Sequence, residues 1–221
     1  NALNDWNPSS GSANLGQMVA IGHNALAVAE DGADSNTAIG YTALTALTTA
    51  SNNVAVGNQT LKSITTNGSN TAVGSIAGQN CVVGSSGGAS NTLMGYATAQ
   101  YLGEGKNNTH IGALAGFGNS GAHASGDYNT TLGYKAGYLL QGAASNNTIV
   151  GANAAVALTT GTTNVIMGRQ AGQTMTTTSG TTLLGYQAGE SIDHTDANGT
   201  VAVGSQSLEA LEDGQYNTGL G

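Results

Sequence analysis

A five-residue pattern of polar and hydrophobic positions recurs along the chain. It occurs as Asn36-Thr-Ala-Ile-Gly40, Asn53-Val-Ala-Val-Gly57 and Asn129-Thr-Thr-Leu-Gly133, and thirteen copies are present. The residue before the Gly is Ile, Val, Leu or Met in every copy, and the residue two places earlier is Val or Thr in twelve. Because β-branched residues at alternate positions favour extended backbone, each copy predicts one short strand.

Positions in each copy are numbered from its Gly, so the strand occupies positions −3, −2 and −1. Ten copies carry Asn at −4, and eight of the twelve intervals between motif glycines are 17 or 18 residues. Such a strict repeat predicts a stacked array rather than a single compact core. The motif residues expected to define the array are Gly40, Gly57, Gly74, Gly95, Gly112, Gly133, Gly151, Gly168, Gly185 and Gly204, with Asn36, Asn53, Asn70, Asn129 and Asn164.

The hydrophobic period changes after each Gly. Positions +3, +4 and +7 are small or apolar, as in Ala43, Leu44 and Leu47, whereas +5 is usually polar. This spacing predicts one to two turns of helix, followed by a loop rich in Thr, Ser, Asn and Gly. The predicted fold is a mainly β repeat solenoid, like a parallel β-roll or β-helix. Each coil of about 17 residues has one strand, a short helical turn and a loop, and thirteen coils would form a rod of about 60 Å.

The strand motif is apolar on both of its faces. We expect the side chains at −3 and −1 to be covered by the returning segment of the same coil. The side chains at −2, such as Ala38, Ala55 and Ile149, would then form a second apolar stripe, which cyclic symmetry between chains would bury at its axis. A single chain with a wider coil is the alternative.

His110 occupies the −2 position of its copy. If the −2 face meets a symmetry axis, the His110 side chains of the symmetry-related chains would converge there and form a weak candidate metal site. A hydrogen-bonded interface His is the favoured interpretation.

Two parts of the chain depart from the repeat. Residues 1–17, which contain Trp6 and Pro8, form an N-terminal flank, and residues 18–221 form an array of about thirteen coils, expected to be a piece of a longer fibre. The longest gap between motif glycines, from Gly112 to Gly133, predicts a projecting loop.

Aromatic residues outside the repeat register are candidate receptor contacts, namely Tyr101, Phe117, His123 and Tyr128. Four tyrosines directly follow a motif Gly, and packing between repeats is favoured over sugar stacking for Tyr41, Tyr96, Tyr134 and Tyr186.

The charge of the chain narrows the choice of partners. Only 7% of the residues are charged, and twelve acids against four bases give a net charge of −8. No basic stripe is available to neutralise phosphates, so the sequence predicts no nucleic-acid partner. It has no apolar run long enough for membrane insertion. Cys81 is the single Cys and cannot form a disulfide within the chain.

Candidate chemistry is sparse along the chain. The four His residues fall at different repeat offsets and so form no recurring catalytic set, and we expect no enzyme activity and no cofactor. The acidic clusters lie between strand motifs and are interpreted as solvated loops. They include Glu30, Asp31 and Asp34; Asp193 and Asp196; and Glu209, Glu212 and Asp213.

The repeats resemble two related groups of proteins. Short Asn-x-x-Ile-Gly copies are similar to the head domains of trimeric autotransporter adhesins. Longer copies, such as Asn36-Thr-Ala-Ile-Gly-Tyr-Thr-Ala-Leu44 and Asn129-Thr-Thr-Leu-Gly-Tyr-Lys-Ala-Gly137, more closely resemble the arrays of bacteriophage tail fibres. The resemblance covers residues 18–221. It implies a homotrimeric fibre at a virion surface or an extracellular cell surface, with a host glycan or protein as a further partner.

The leading functional hypothesis is a structural segment of a virion attachment fibre that extends toward a host cell or binds it. A bacterial trimeric surface adhesin is the first alternative. The second is an ice- or surface-binding solenoid, because Thr stands at −3 in eight copies, including Thr37, Thr71 and Thr92. Those Thr side chains share a strand face with the apolar position −1, and we expect that face to be buried. This expectation counts against ice binding.

Overall fold

Twelve short strands arise from the repeat in the part of the chain that the structure describes. A computed structural model describes residues 17–30, 32–81, 89–193 and 197–221. The strands, in chain order, are β1 Val19–Ile21, β2 Thr37–Ile39, β3 Val54–Val56, β4 Thr71–Val73, β5 Thr92–Met94, β6 Thr109–Ile111, β7 Thr130–Leu132, β8 Thr148–Val150, β9 Val165–Met167, β10 Thr182–Leu184, β11 Val201–Val203 and β12 Thr218–Leu220.

All twelve strands lie in one parallel sheet, in the order β1 to β12. Equivalent motif positions are paired throughout, as in Ala38 with Ala55 and Ile149 with Ile166. At a strand spacing of about 4.8 Å, the sheet runs for about 50 Å. The predicted parallel β-solenoid is therefore confirmed.

One predicted coil does not separate the strands on either side of it. Val82 and Gly84, from the shortest repeat copy, lie outside the described residues, as do most of the N-terminal flank, Trp6 and Pro8 included, and Asp31, His194 and Asp196. β4 pairs directly with β5, with Thr71 beside Thr92. The two strands are therefore immediate neighbours in the sheet.

The core lies inside a single chain, between the −2 side chains of the sheet and the returning turns. Ala38, Ala43, Leu44 and Leu47 are all fully buried in one coil. Burying these side chains contributes on the order of 25 cal/mol for each Å² of apolar surface removed from water. The chain therefore builds its core from thin layers of Ala, Leu and Ile, repeated at every coil.

Side-chain size alternates between positions −2 and +4 of the same coil. Ala38 at −2 is matched by Leu44 at +4, whereas Leu183 at −2 is matched by Gly189 at +4. A Cβ atom on Gly189 would come within 2.9 Å of Leu183 Cδ2 in the same coil. The two positions thus fill the same layer, and a large residue at one requires a small residue at the other.

The segments after the motif glycines are turns, not helices, so the predicted helical turn is wrong. In the coil after Gly40, Thr42 and Leu44 both have φ of 50°. Alternating left-handed residues cannot form a right-handed helix. The Thr42 N–H donates to the His23 carbonyl of the preceding coil (2.8 Å), and the Leu44 N–H donates to the Thr60 carbonyl of the following coil (3.1 Å). Bonds between coils replace the bonds that a helix would make within itself.

The described motif Gly residues from Gly22 to Gly204 lie where successive coils approach each other closely. Gly57 has φ of 139°, a conformation that is essentially restricted to Gly. A Cβ at this position would lie 2.5 Å from the Gly74 carbonyl oxygen and 2.7 Å from Thr60 Oγ1. Both the backbone angle and the available space therefore require Gly at this point of the repeat.

The motif Asn side chains form a buried amide ladder along the rod. Asn36 Oδ1 accepts hydrogen bonds from the Asn53 backbone N–H (2.9 Å) and from Asn53 Nδ2 (3.1 Å). Asn53 Oδ1 accepts the same two bonds from Asn70. The ladder passes through Asn91, Asn108, Asn129, Asn147 and Asn164 and ends on Thr181. These bonds satisfy the buried amides and hold the coils in register.

The two faces of the strands are exchanged relative to the sequence-based expectation. The side chains at −2, predicted to meet other chains, are buried within their own chain, as Ala38, Ile149 and Ile166 show at 0% exposure. The side chains at −3 and −1, predicted to be covered by the returning segment, point outward. The turns close over the −2 side because side chains at +4, such as Leu44, pack there.

Candidate functional site

The outward side of the sheet is a continuous surface with two columns of side chains, which we call the outward face. Its −3 column consists of Thr and Val, the first residue of every strand. Its −1 column consists of Ile21, Ile39, Val56, Val73, Met94, Ile111, Leu132, Val150, Met167, Leu184, Val203 and Leu220. Neither column of these twelve strands contains a charged residue, and Met94, Leu132 and Met167 are 45–46% exposed. An apolar surface of this length is typical of an interaction site.

The Thr side chains of the −3 column are on this outward face, so the prediction that they are buried is wrong. Thr71 and Thr130 are exposed, and Thr37, Thr92 and Thr109 are half-buried. Parallel, in-register pairing places them at the strand spacing of about 4.8 Å. The outward face therefore presents hydroxyl and methyl groups in a regular column beside the aliphatic one.

His110 lies inside the solenoid, so the prediction that it faces a symmetry axis is wrong. It is 2% exposed, and its Nδ1 is 2.8 Å from Thr131 Oγ1 of the next coil. Gly116 at +4 leaves space for the ring, because a Cβ there would lie 2.5 Å from Nδ1. Burial lowers the pKa of His110 from 6.5 to about 4. The neutral ring therefore fills a core layer, and three copies cannot converge on it.

Cys81 is also a core residue. It is 5% exposed, and burial raises the pKa of its thiol to about 12. The thiolate needed for nucleophilic attack or metal binding is therefore strongly disfavoured. Within residues 17–30, 32–81, 89–193 and 197–221, no group of three or more His, Cys, Asp or Glu residues is placed to hold a metal ion.

Three of the four candidate receptor residues come together beside the long gap between Gly112 and Gly133. The ring of Tyr101 meets Phe117 edge-on at a centroid distance of 5.3 Å and stacks on His123 at 6.1 Å. Tyr138, which the sequence analysis missed, stacks on Phe117 at 4.9 Å with an angle of 7°. These four rings form an aromatic cluster whose members are all half-buried. They pack against one another, and each remains partly exposed.

Tyr128, the fourth candidate, does not join this cluster. Its side chain is 61% exposed, and it makes no ring contact with the other described aromatic residues. The sequence signal that would have found Tyr138 is its +5 position, since Phe117 is also at +5 in the preceding coil. Equivalent positions in adjacent coils lie side by side in this fold.

The acidic clusters predicted to lie in solvated loops are surface residues where the structure describes them. Glu30, Glu212 and Asp213 are exposed, whereas Asp34 and Glu209 are half-buried.

No helix within the described residues is long and apolar enough to cross a bilayer. The outward face and the aromatic cluster are therefore the two candidate interaction surfaces.

The fold defines the chain as a parallel β-solenoid repeat protein. Comparisons with protein-family models, with curated proteins and with solved structures found no match. Function must therefore be argued from the surfaces of the solenoid themselves, because a solenoid fold is shared by proteins with unrelated activities.

Proposed function

We propose that this chain is a structural segment of an attachment fibre, in which three copies pack through their outward faces. The observation that carries the proposal is the continuous, uncharged −1 column, which extends over all twelve strands. Leaving such a stripe in water is unfavourable, and threefold symmetry would bury it along the fibre axis. The −3 and −1 columns thus take the role that the sequence analysis assigned to the stripe at −2.

The repetitive architecture supports a role in extension. Each added coil lengthens the rod by about 4.8 Å and buries the same small core, so length can grow without a new fold. Such a rod would carry a binding surface away from a virion. A bacterial surface adhesin would use the same assembly and remains the alternative. In either setting, we expect the protein to lie outside the cell and to have a host glycan or protein as its further partner.

Mass measurement with paired variants tests the assembly. The wild-type protein should have, by light scattering, three times the chain mass of 21.7 kDa. Val165→Lys and Met167→Lys place charges on the outward face and should give folded monomers. The matched controls Ala143→Lys and Thr160→Lys change exposed loop positions and should leave the trimer intact. A wild-type monomer with a normal sheet spectrum would contradict the proposal.

Ice binding is a second candidate, and the outward Thr column favours it. A flat, uncharged surface with hydroxyl and methyl groups at a regular spacing suits contact with an ordered water lattice. The two functions make opposite demands, because a trimer would bury the surface that ice must reach. Thermal hysteresis of a monomeric chain, abolished by Thr130→Lys, would support ice binding. A trimer without thermal hysteresis would exclude it.

A further inference from the structure

A third row of side chains runs along the rod, formed by the residues directly after the motif glycines. Backbone bonds between coils hold this +1 row in register. The Leu114 N–H donates to the Tyr96 carbonyl (2.9 Å), and the Lys135 N–H donates to the Ala113 carbonyl (3.1 Å). Side chains at +1 in successive coils are therefore fixed one strand spacing apart, about 4.8 Å.

Neighbouring groups of the +1 row face each other along the rod. His23 and Tyr41, in adjacent coils, stack with centroids 5.5 Å apart and an angle of 16°. Arg169 lies over the ring of Tyr186, in the next coil, with its Cζ 5.5 Å from the ring centroid. Flat groups in adjacent coils thus stack along the +1 row, at distances favourable for aromatic and cation–π contacts.

At one place in the +1 row, two tyrosines flank a residue that has no ring. Tyr96 and Tyr134 are separated by two coils, and Ala113 occupies the intervening +1 position. Two strand spacings give about 9.6 Å between the rings, so a flat group at the centre would lie about 4.8 Å from each. That distance is within the range for stacked rings. Tyr96 is 58% exposed and Tyr134 is 49% exposed, so both rings are accessible from solvent.

We propose that Tyr96 and Tyr134 clamp one pyranose ring of a surface polysaccharide above Ala113. This inference rests on the proposed attachment function and names the chemistry of the partner. The two tyrosine faces would cover the apolar C–H faces of the sugar, and Ala113 would form the floor of the clamp. Lys135 Nζ lies 5.4 Å from the Tyr134 ring centroid and would donate hydrogen bonds to sugar hydroxyl or carboxylate groups.

Charge favours a sugar over the other common ligand that stacks on aromatic rings, a nucleic-acid base. Lys135 is one of only four Lys and Arg residues in a chain of net charge −8. Binding of a nucleic acid would need several cations to neutralise phosphates. A neutral or weakly acidic polysaccharide meets no such requirement. One clamp binds weakly, but three clamps on a trimer engaging a repeating polymer would bind with much higher avidity.

The test begins with the wild-type protein on an array of immobilised bacterial capsular polysaccharides and lipopolysaccharides, with single-stranded DNA as an added spot. Binding to at least one polysaccharide and none to DNA is the expected result. Binding to DNA alone, or to no spot, would overturn the proposal. Oligosaccharides from the best spot are then titrated by saturation-transfer NMR, which detects single sites irrespective of avidity.

Four variants separate the clamp from the rest of the +1 row. Tyr96→Ala and Tyr134→Ala should each weaken oligosaccharide binding at least tenfold. Ala113→Tyr fills the gap with a ring of the protein itself and should abolish binding while keeping both tyrosines. The matched control Tyr186→Ala removes an exposed +1 tyrosine elsewhere and should bind normally. Unchanged binding by Ala113→Tyr would overturn the clamp.

Light scattering of the same samples separates the two proposals. A trimer that binds no sugar disproves the clamp and leaves the fibre proposal standing. A monomer that binds sugar through Tyr96 and Tyr134 supports the clamp and disproves the trimeric fibre.

Discussion

The two sides of each strand have nearly the same hydrophobicity but different structural roles. In β9, Ile166 is fully buried in the core, whereas Val165 and Met167, on either side of it, are 41% and 46% exposed. On the inward side, the size of the −2 side chain is matched to that of the +4 side chain in the turn. A large residue at −2 accompanies a small one at +4. The outward side shows no such matching within the coil. Hydrophobicity alone therefore does not identify the core of a solenoid, but compensation of side-chain volume does.

Charge placed on each side of β9 should give the largest contrast. Ile166→Asp buries a carboxylate without a partner and should cost several kcal/mol, enough to prevent folding of the coils around it. Val165→Asp places the same group on the outward face and should leave the secondary structure of the chain intact. Circular dichroism and urea unfolding measure the difference. Equal destabilisation of the monomer by both variants would contradict the assignment of the two faces.

The buried imidazole of His110 should make the stability of the fold depend on pH. His110 has a pKa of about 4 when folded, against 6.5 when exposed, so the unfolded chain binds the proton more readily. Its contribution to stability is fully present above pH 6.5 and is lost as the pH falls from 6.5 to 4, by roughly 3 kcal/mol. His110→Leu combined with Thr131→Val removes the titrating group together with its hydrogen-bond partner. Urea unfolding of this double variant should show a smaller loss of stability across that pH window. An unchanged loss would place the titrating group elsewhere.

Exchange of large and small residues tests the compensation between −2 and +4. Ala55→Leu adds volume to a layer that already contains Leu61 and should destabilise the chain by about 2 kcal/mol. Adding Leu61→Gly should recover much of that loss, because the pair then matches Leu183 with Gly189. A double-mutant cycle by urea unfolding gives the coupling energy. Additive effects would show that the two positions do not share a layer.

The strands and their parallel stacking could be predicted from the sequence, whereas the direction of closure could not. The alternating motif fixes a short extended segment, and its strict spacing fixes in-register pairing. The turn after the Gly depends on left-handed Thr42 and Leu44, residue types whose local preferences give no sign of positive φ. An apolar pattern at +3, +4 and +7 is typical of a helix, and because both faces of the strand are apolar, their hydrophobicity does not show which face the returning segment covers.

A signal for the correct face is nevertheless present in the sequence. His110 is followed by Gly116, Ile166 by Gly172 and Leu183 by Gly189, always with the same separation. Only residues in the same layer need to exchange volume in this way. The aromatic cluster could be predicted in part for a related reason. Tyr101, Phe117 and His123 stand out as aromatic residues outside the strand motif, but Tyr138 becomes visible only when neighbouring coils are aligned.

The smallest predicted effect concerns the end of the amide ladder. Asn164 Oδ1 accepts from Thr181 Oγ1 (2.8 Å), but the next residue of the column, Thr200, is fully buried, and its Oγ1 makes no hydrogen bond to the described residues. Thr181→Asn would supply an amide N–H to Asn164 and a carbonyl oxygen to Thr200. It should stabilise the chain by about 1 kcal/mol in urea unfolding. The control Thr181→Val removes the hydroxyl donor and should destabilise by a similar amount. A stabilising Thr181→Val would show that this hydrogen bond contributes register but no net stability.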